Sequence, residues 1–334
     1  MLITKPAYFD RFRCLAGACP DSCCKEWAVQ VDEASAAYYR SLPGKLGDRL
    51  RSVLRTEDGE TVMTIEDGRC PMWRRDGLCR IQAELGEAAL CRTCREFPRL
   101  THDYGDFVEK GLELSCPEAA RLILAEAPEC WISEEISGGQ EPEYDTEAMA
   151  SLKASREKAL AVLNSGLPVA EALAALLIYG YQAQAELDGE EPTDFEADAA
   201  LHSAEAFARC GNIREILDFF GTLEILQPSW RDRLAAPEGK EIPELCRPFA
   251  RYLVERYWLQ AVSDYDLACR VKFMVISCLA VSALGGDFLQ TAQSWSKEIE
   301  NNWENVEAIL DAAYTSRIFT DDKLLGLLLF SRKT

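Results

Sequence analysis

The sequence predicts a mainly α protein in which a small, irregular, cysteine-rich α+β metal-binding N-terminal domain precedes a helical bundle or array. Three observations predict it. Nine of the fourteen cysteines lie between Cys14 and Cys116, in groups. Apolar residues then recur at helical spacing along the rest of the chain, with no long run of period-two alternation. Between the two regions, Gly138-Gly139-Gln140-Glu141-Pro142 is rich in turn formers. The expected division is residues 1–130 for the cysteine-rich domain, 131–144 for a linker and 145–334 for the helical domain.

Taken in order, Trp27 to Val31 reads as a short strand, and residues 34 to 56 as helical on both sides of the breaker Pro43-Gly44. Glu60 to Glu66 reads as a strand ending in the turn Asp67-Gly68, and Asp76-Gly77 marks a second turn. Gln82 to Phe97 is helical in composition and Pro98 ends it. Asp106 to Leu114 reads as a strand, and Pro117 in a favoured first position opens a helix to Glu126. Helices are expected at Asp145 to Asn164, Val169 to Leu187, Thr193 to Leu217, Leu245 to Val262, Asp264 to Leu284, Asp287 to Leu310 and Lys323 to Phe330. No repeat of solenoid length stands out.

The net charge of −20 opposes non-specific contact with nucleic acid, whose phosphates most of the surface would repel. Residues 1–130 hold 18 Lys and Arg against 22 Asp and Glu, so the acidity lies mainly beyond them. Trp131 to Asp198 alone carries −12, either as a solvated helix face or as a field that attracts a basic partner. No stretch approaches the ~20 apolar residues of a membrane span, and the start lacks the pattern of a secretion signal. A cytoplasmic location is expected, with reduced thiols available to a metal.

The groups are Cys14, Cys19, Cys23 and Cys24, then Cys70 and Cys79, then Cys91 and Cys94, then Cys116. Thiolates are soft ligands that suit an iron–sulfur cluster or zinc, and four complete one site. Nine thiols suffice for two sites with one over, and adjacent Cys23 and Cys24 do not easily ligate one ion. Proline follows Cys19, Cys70 and Cys116, as it does the last cysteine of bacterial ferredoxin runs, which leans toward iron–sulfur over zinc. Cys130, Cys210, Cys246, Cys269 and Cys278 stand alone and read as small core residues.

Arg92, Arg95 and Arg99 surround Cys91 and Cys94 at spacings that place them on one helical face. They either compensate thiolate charge or clamp a carboxylate, such as that of S-adenosylmethionine. With two histidines and no Gly-rich phosphate loop, nucleophile elbow or HExxH motif, an enzyme here would depend on a cofactor or metal.

The run Cys14-x4-Cys19-x3-Cys23-Cys24, then Arg69-Cys70-Pro71-Met72, Asp76-Gly77-Leu78-Cys79-Arg80-Ile81, Gly86-Glu87-x2-Leu90-Cys91-Arg92-Thr93-Cys94-Arg95-Glu96-Phe97-Pro98-Arg99 and Leu114-Ser115-Cys116-Pro117-Glu118 resembles the flagellin lysine-N-methylase family. The opening Pro6-Ala7-Tyr8-x2-Arg11-Phe12 resembles it too. Gly77 to Pro98 is also similar to a wider group of zinc- or iron-chelating cysteine domains. The resemblance implies a protein-lysine N-methyltransferase that uses S-adenosylmethionine on surface lysines of flagellin or a similar protein, with a 4Fe-4S cluster on its cysteines. The other reading is a non-catalytic metal-binding or redox interaction module whose acidic helical half recruits a partner.

Overall fold

The computed structural model describes residues 1–25, 28–57, 59–125 and 131–330. Its first part runs β1 (Leu2–Pro6), β2 (Val29–Gln30), α1 (Glu33–Ser41), α2 (Gly44–Val53), β3 (Leu54–Glu57), β4 (Glu60–Met63), α3 (Arg80–Leu85), α4 (Arg92–Glu96), β5 (Arg99–Asp103), β6 (Phe107–Leu112), α5 (Pro117–Ile123) and β7 (Trp131–Glu135). Helices follow: α6 (Thr146–Leu163), α7 (Val169–Leu187), α8 (Ala197–Phe207), α9 (Ile213–Phe220), α10 (Pro228–Ala235), α11 (Cys246–Tyr257), α12 (Leu267–Leu284), α13 (Phe288–Trp295), α14 (Trp303–Thr315) and α15 (Asp321–Leu329). The protein is mainly helical.

Two sheets form in the first part. The larger has the strand order β5-β6-β1-β7, with β1 parallel to β6 and antiparallel to β7. The smaller has the order β2-β4-β3, all antiparallel. Asp67 and Gly68 take φ of 50° and 72°, closing a tight turn between Glu66 and Arg69, which pair across it. Residues 131–144, read from sequence as a linker, therefore supply a sheet strand.

Apolar side chains gather into two cores. Val29, Tyr39, Leu50, Met63, Met72, Ile81 and Leu90 form a small one under the cysteines, where Tyr39 Oη donates to Ala89 O at 2.7 Å. Tyr8, Phe12, Phe107, Leu112 and Leu114 instead join the large core of the helices. The four-stranded sheet thus packs with the helical half. Its firmest polar tie is buried Glu109 on β6, which accepts two hydrogen bonds from Arg156 on α6 at 2.7 and 2.8 Å.

Helix α12 is the central post of the large core. It is also the one described helix long and apolar enough to cross a membrane, and 89% of it is buried inside the protein. Its charged residues stay paired, Arg270 with Asp264 at 2.8 Å and Lys272 with Asp321 at 3.3 Å.

The bounds of α7 match the sequence reading, but several long expected helices are divided. Gln82 to Phe97 breaks into α3 and α4 because Gly86, at φ 86°, turns the chain left-handed between them. Arg99 then opens β5, so Arg92, Arg95 and Arg99 do not share one helical face. Thr193 to Leu217 divides into α8 and α9 at residues 208–212. Asp287 to Leu310 divides into α13 and α14 around a π-helical turn, Ser296–Glu300. Trp27, Glu126 and Cys130 lie outside the described residues.

Where α7 crosses α12, a Cβ on Gly180 would come within 2.8 Å of the Val271 side chain. Gly180→Ala is expected to lower stability by about 1–3 kcal/mol through overpacking. Adding Val271→Ala should recover part of that loss, as measured by urea unfolding of the single and double variants.

Candidate functional site

All nine grouped cysteines are free thiols. Short helices present three of them: Cys79, Cys91 and Cys116 stand at the N-caps of α3, α4 and α5. There burial raises Cys79 and Cys116 against the opposing pull of the first backbone N–H groups, while at Cys91 those groups add to the contact with Cys94 that lowers it. The loop from Cys14 to Cys24 folds over this base. Gly17 packs against the 76–78 turn, and Cys24 O accepts from Cys70 N at 2.7 Å.

The thiols meet in two contacts. Cys24 is hydrogen-bonded to both Cys23 and Cys70, and Cys91 to Cys94. Within these contacts the partners split: hydrogen bonds lower Cys23 to about 7 and Cys91 to about 7, whereas Cys24 and Cys94 are driven up. Burial pushes Cys19, Cys79 and Cys116 upward, Cys116 to about 11. The charges reach across the groups. Cys14 and Cys23 act on Cys19, Cys70 and Cys23 on Cys79 and Cys94, and Cys19 and Cys23 on Cys116.

By donor chemistry this set suits a soft metal or an iron–sulfur cluster. Among the described residues, however, no three His, Cys, Asp or Glu side chains are arranged to hold a metal ion. Arg92, Arg95 and Arg99 are exposed, and the Arg99 guanidinium lies 5.2 Å over the Phe12 ring. Of the lone cysteines, Cys246, Cys269 and Cys278 are core residues as expected, but Cys210 is exposed.

The structure adds residues that the cysteine spacing did not announce. Asp21, inside the first cysteine group, forms an ion pair with Lys25 at 2.7 Å and another with Lys297. Gln293 donates to Asp21 at 3.1 Å and to Ser115 O at 2.6 Å, so the loop is fastened to the end of α13 and the π turn. Glu300, at the far end of that turn, accepts from Ser296 and Tyr257 at 2.5 and 2.9 Å and pairs with Arg256 at 3.2 Å.

Arg256 belongs to a cleft between α11 and the four-stranded sheet. Burial raises Glu255 there to about 7 and lowers His102, while Trp131 Nε1 donates to Glu255 at 3.4 Å. One sequence signal pointed here: the charged residues Arg251, Glu255 and Arg256 interrupt the aromatic and apolar run Phe249 to Trp258.

With its pKa raised by burial, Glu255 holds a proton in the native state at pH values where the unfolded chain has lost it. Its contribution to stability is therefore present at low pH and is lost as pH rises from about 4.5 toward 7. Glu255→Gln should gain stability over the native protein across this range, by on the order of 2–3 kcal/mol above pH 7. Urea midpoints at pH 5 to 8 check this, and a pH-independent difference would refute it.

Among known proteins, the chain is 34% identical over 139 residues to the lysine-N-methylase of Salmonella typhimurium, covering 40% of this chain and 35% of that protein. It is 33% identical over 139 residues to the lysine-N-methylase of Salmonella choleraesuis, with the same coverage of 40% and 35%. The match therefore spans about a third of those curated relatives. It is 32% identical over 129 residues to the flagellar biosynthetic protein FliU of Salmonella muenchen, covering 36% of this chain and 76% of that protein. No family model matches the chain, and no solved structure matches it. At more than 30% identity over three quarters of FliU, the chain belongs to the flagellin lysine-N-methylase family.

Proposed function

We propose that this chain is an S-adenosylmethionine-dependent protein-lysine N-methyltransferase acting on flagellin or a similar protein with surface lysines. The observation that carries the reading is the likeness to two lysine-N-methylases in a chain whose nine grouped thiols lie within electrostatic reach of one another. In this reading thiolates drawn from Cys14, Cys19, Cys23, Cys24, Cys70, Cys79, Cys91, Cys94 and Cys116, four to a site, hold a 4Fe-4S cluster or, in its place, zinc. Such a group supplies either a fixed scaffold or an electrophilic metal.

The residues' tasks follow from charge. A lysine ε-amine attacks a methyl sulfonium only when neutral, so the site must lower its pKa by excluding water or by placing a cation nearby. The exposed guanidinia of Arg92, Arg95 and Arg99 offer the planar fork that suits the donor's carboxylate. The backbone amides at the starts of α3, α4 and α5 offset part of the burial cost of forming thiolates at Cys79, Cys91 and Cys116, the form a metal takes.

Incubating the purified protein with methyl-labelled S-adenosylmethionine and flagellin should label lysines. Absence of transfer by protein with its metal in place would defeat the reading. Protein isolated without oxygen should be brown, with broad absorption near about 400 nm; colourless protein with stoichiometric zinc would change the metal and leave the site. Cys91→Ala or Cys94→Ala should lose metal and destabilise the cysteine-rich part, because metal binding and local folding are coupled. Cys269→Ala and Cys278→Ala should keep full metal content, as elemental analysis would show.

A further inference from the structure

Away from the thiols, two adjoining cavities of ≈ 30 and ≈ 150 Å³ share the residues Glu109, Trp131 and Glu255. They form one cleft with the four-stranded sheet on one side and α6 and α11 on the other. We propose that this cleft binds a primary alkylammonium group, the side chain of a lysine, with the Glu255 carboxylate as its counter-charge and the Trp131 indole as its apolar wall. The identification of that lysine as the one to be methylated rests on the function proposed above.

Glu109, Glu157 and Glu255 line the cleft against Lys110, Arg156 and Arg256, and two of those cations are already held. Arg156 has both terminal nitrogens on Glu109, at 2.7 and 2.8 Å, and Arg256 is held by Glu300 at 3.2 Å and donates to Tyr252 Oη at 2.8 Å. Both guanidinia are thereby neutralised by their own carboxylates. Arg156 Nε, buried and without a partner among the described residues, offers one N–H and no fork to an anion. Arg251, one turn before Glu255 on α11, acts on it through its field.

Glu255 is left with one protein hydrogen bond among the described residues, the long 3.4 Å contact from Trp131. A carboxylate so placed is costly to ionise, and an arriving ammonium lowers that cost. The shape agrees, because a four-carbon chain with a charged head fits a narrow space between an aromatic wall and an acid. The same sheet already holds an amine on an aromatic ring, Lys153 Nζ lying 3.4 Å from the Phe107 centroid.

The test is ligand-detected NMR of n-butylammonium with the full chain at pH 8. Saturable binding is expected, with n-butanol and n-butyrate failing to compete. Glu255→Gln should weaken it by about tenfold, the scale of a lost charge-assisted hydrogen bond. Trp131→Leu, which leaves the carboxylate in place, should weaken it by about threefold or more. Tighter binding of n-butyrate, or unchanged binding in both variants, would overturn the proposal. The two readings separate cleanly. Glu255-dependent binding without methyl transfer to any protein supports the cleft and defeats the methyltransferase. Transfer with unchanged KM in Glu255→Gln and no inhibition by n-butylammonium does the reverse.

Discussion

Crowded thiols that cannot all ionise are the constraint on which this structure turns. Each thiolate raises the proton affinity of its neighbours, and the coupling runs unbroken from Cys14 through Cys19, Cys23 and Cys70 to Cys94. In a region so arranged each further thiolate is costlier to form, and a positive charge entering it lowers that cost. Lys25 and Lys297 at Asp21 bring positive charge to its edge, and the helix N-caps bring partial charge to its base.

The topology explains how so irregular a region is kept in order. β1 and β6 are parallel, and a parallel pair needs a long crossover connection. Here that connection is the cysteine-rich unit itself, with its own small core and three-stranded sheet. It is held at both ends by strands of one sheet and, near its start, by the pairing of Asp21 with Lys297. Neither tie is local in sequence.

That distinction decides how much was legible beforehand. The turns at Asp67-Gly68 and Asp76-Gly77 and α7 from Val169 to Leu187 are local signals, and each is present where the chain announced it. The break at Gly86 was missed because helical composition on both sides outweighed one glycine. The strand Trp131–Glu135 was missed because its partner, Leu2–Pro6, lies more than a hundred residues away. Glu255 and Arg256 were passed over for a related reason. They sit on one aromatic helix, and their surroundings are assembled from the sheet and from Glu300.

The π-helical turn from Ser296 to Glu300 gives these distant parts a common mount. Lys297 meets the cysteine loop through Asp21, while Glu300 meets Arg256, Tyr252 and Tyr257 at the cleft. Between them, Glu298 accepts from the backbone N–H groups of Leu226 and Gln227 at 2.8 and 3.0 Å. Such turns place an extra residue in a helix and are frequent at functional sites. With both ends engaged and the middle pinned, Lys297 and Glu300 cannot shift independently. The geometry of the thiol loop and the aim of the cleft's cation are therefore set by one short piece of backbone, so a residue inserted or deleted there would retune two chemistries at once.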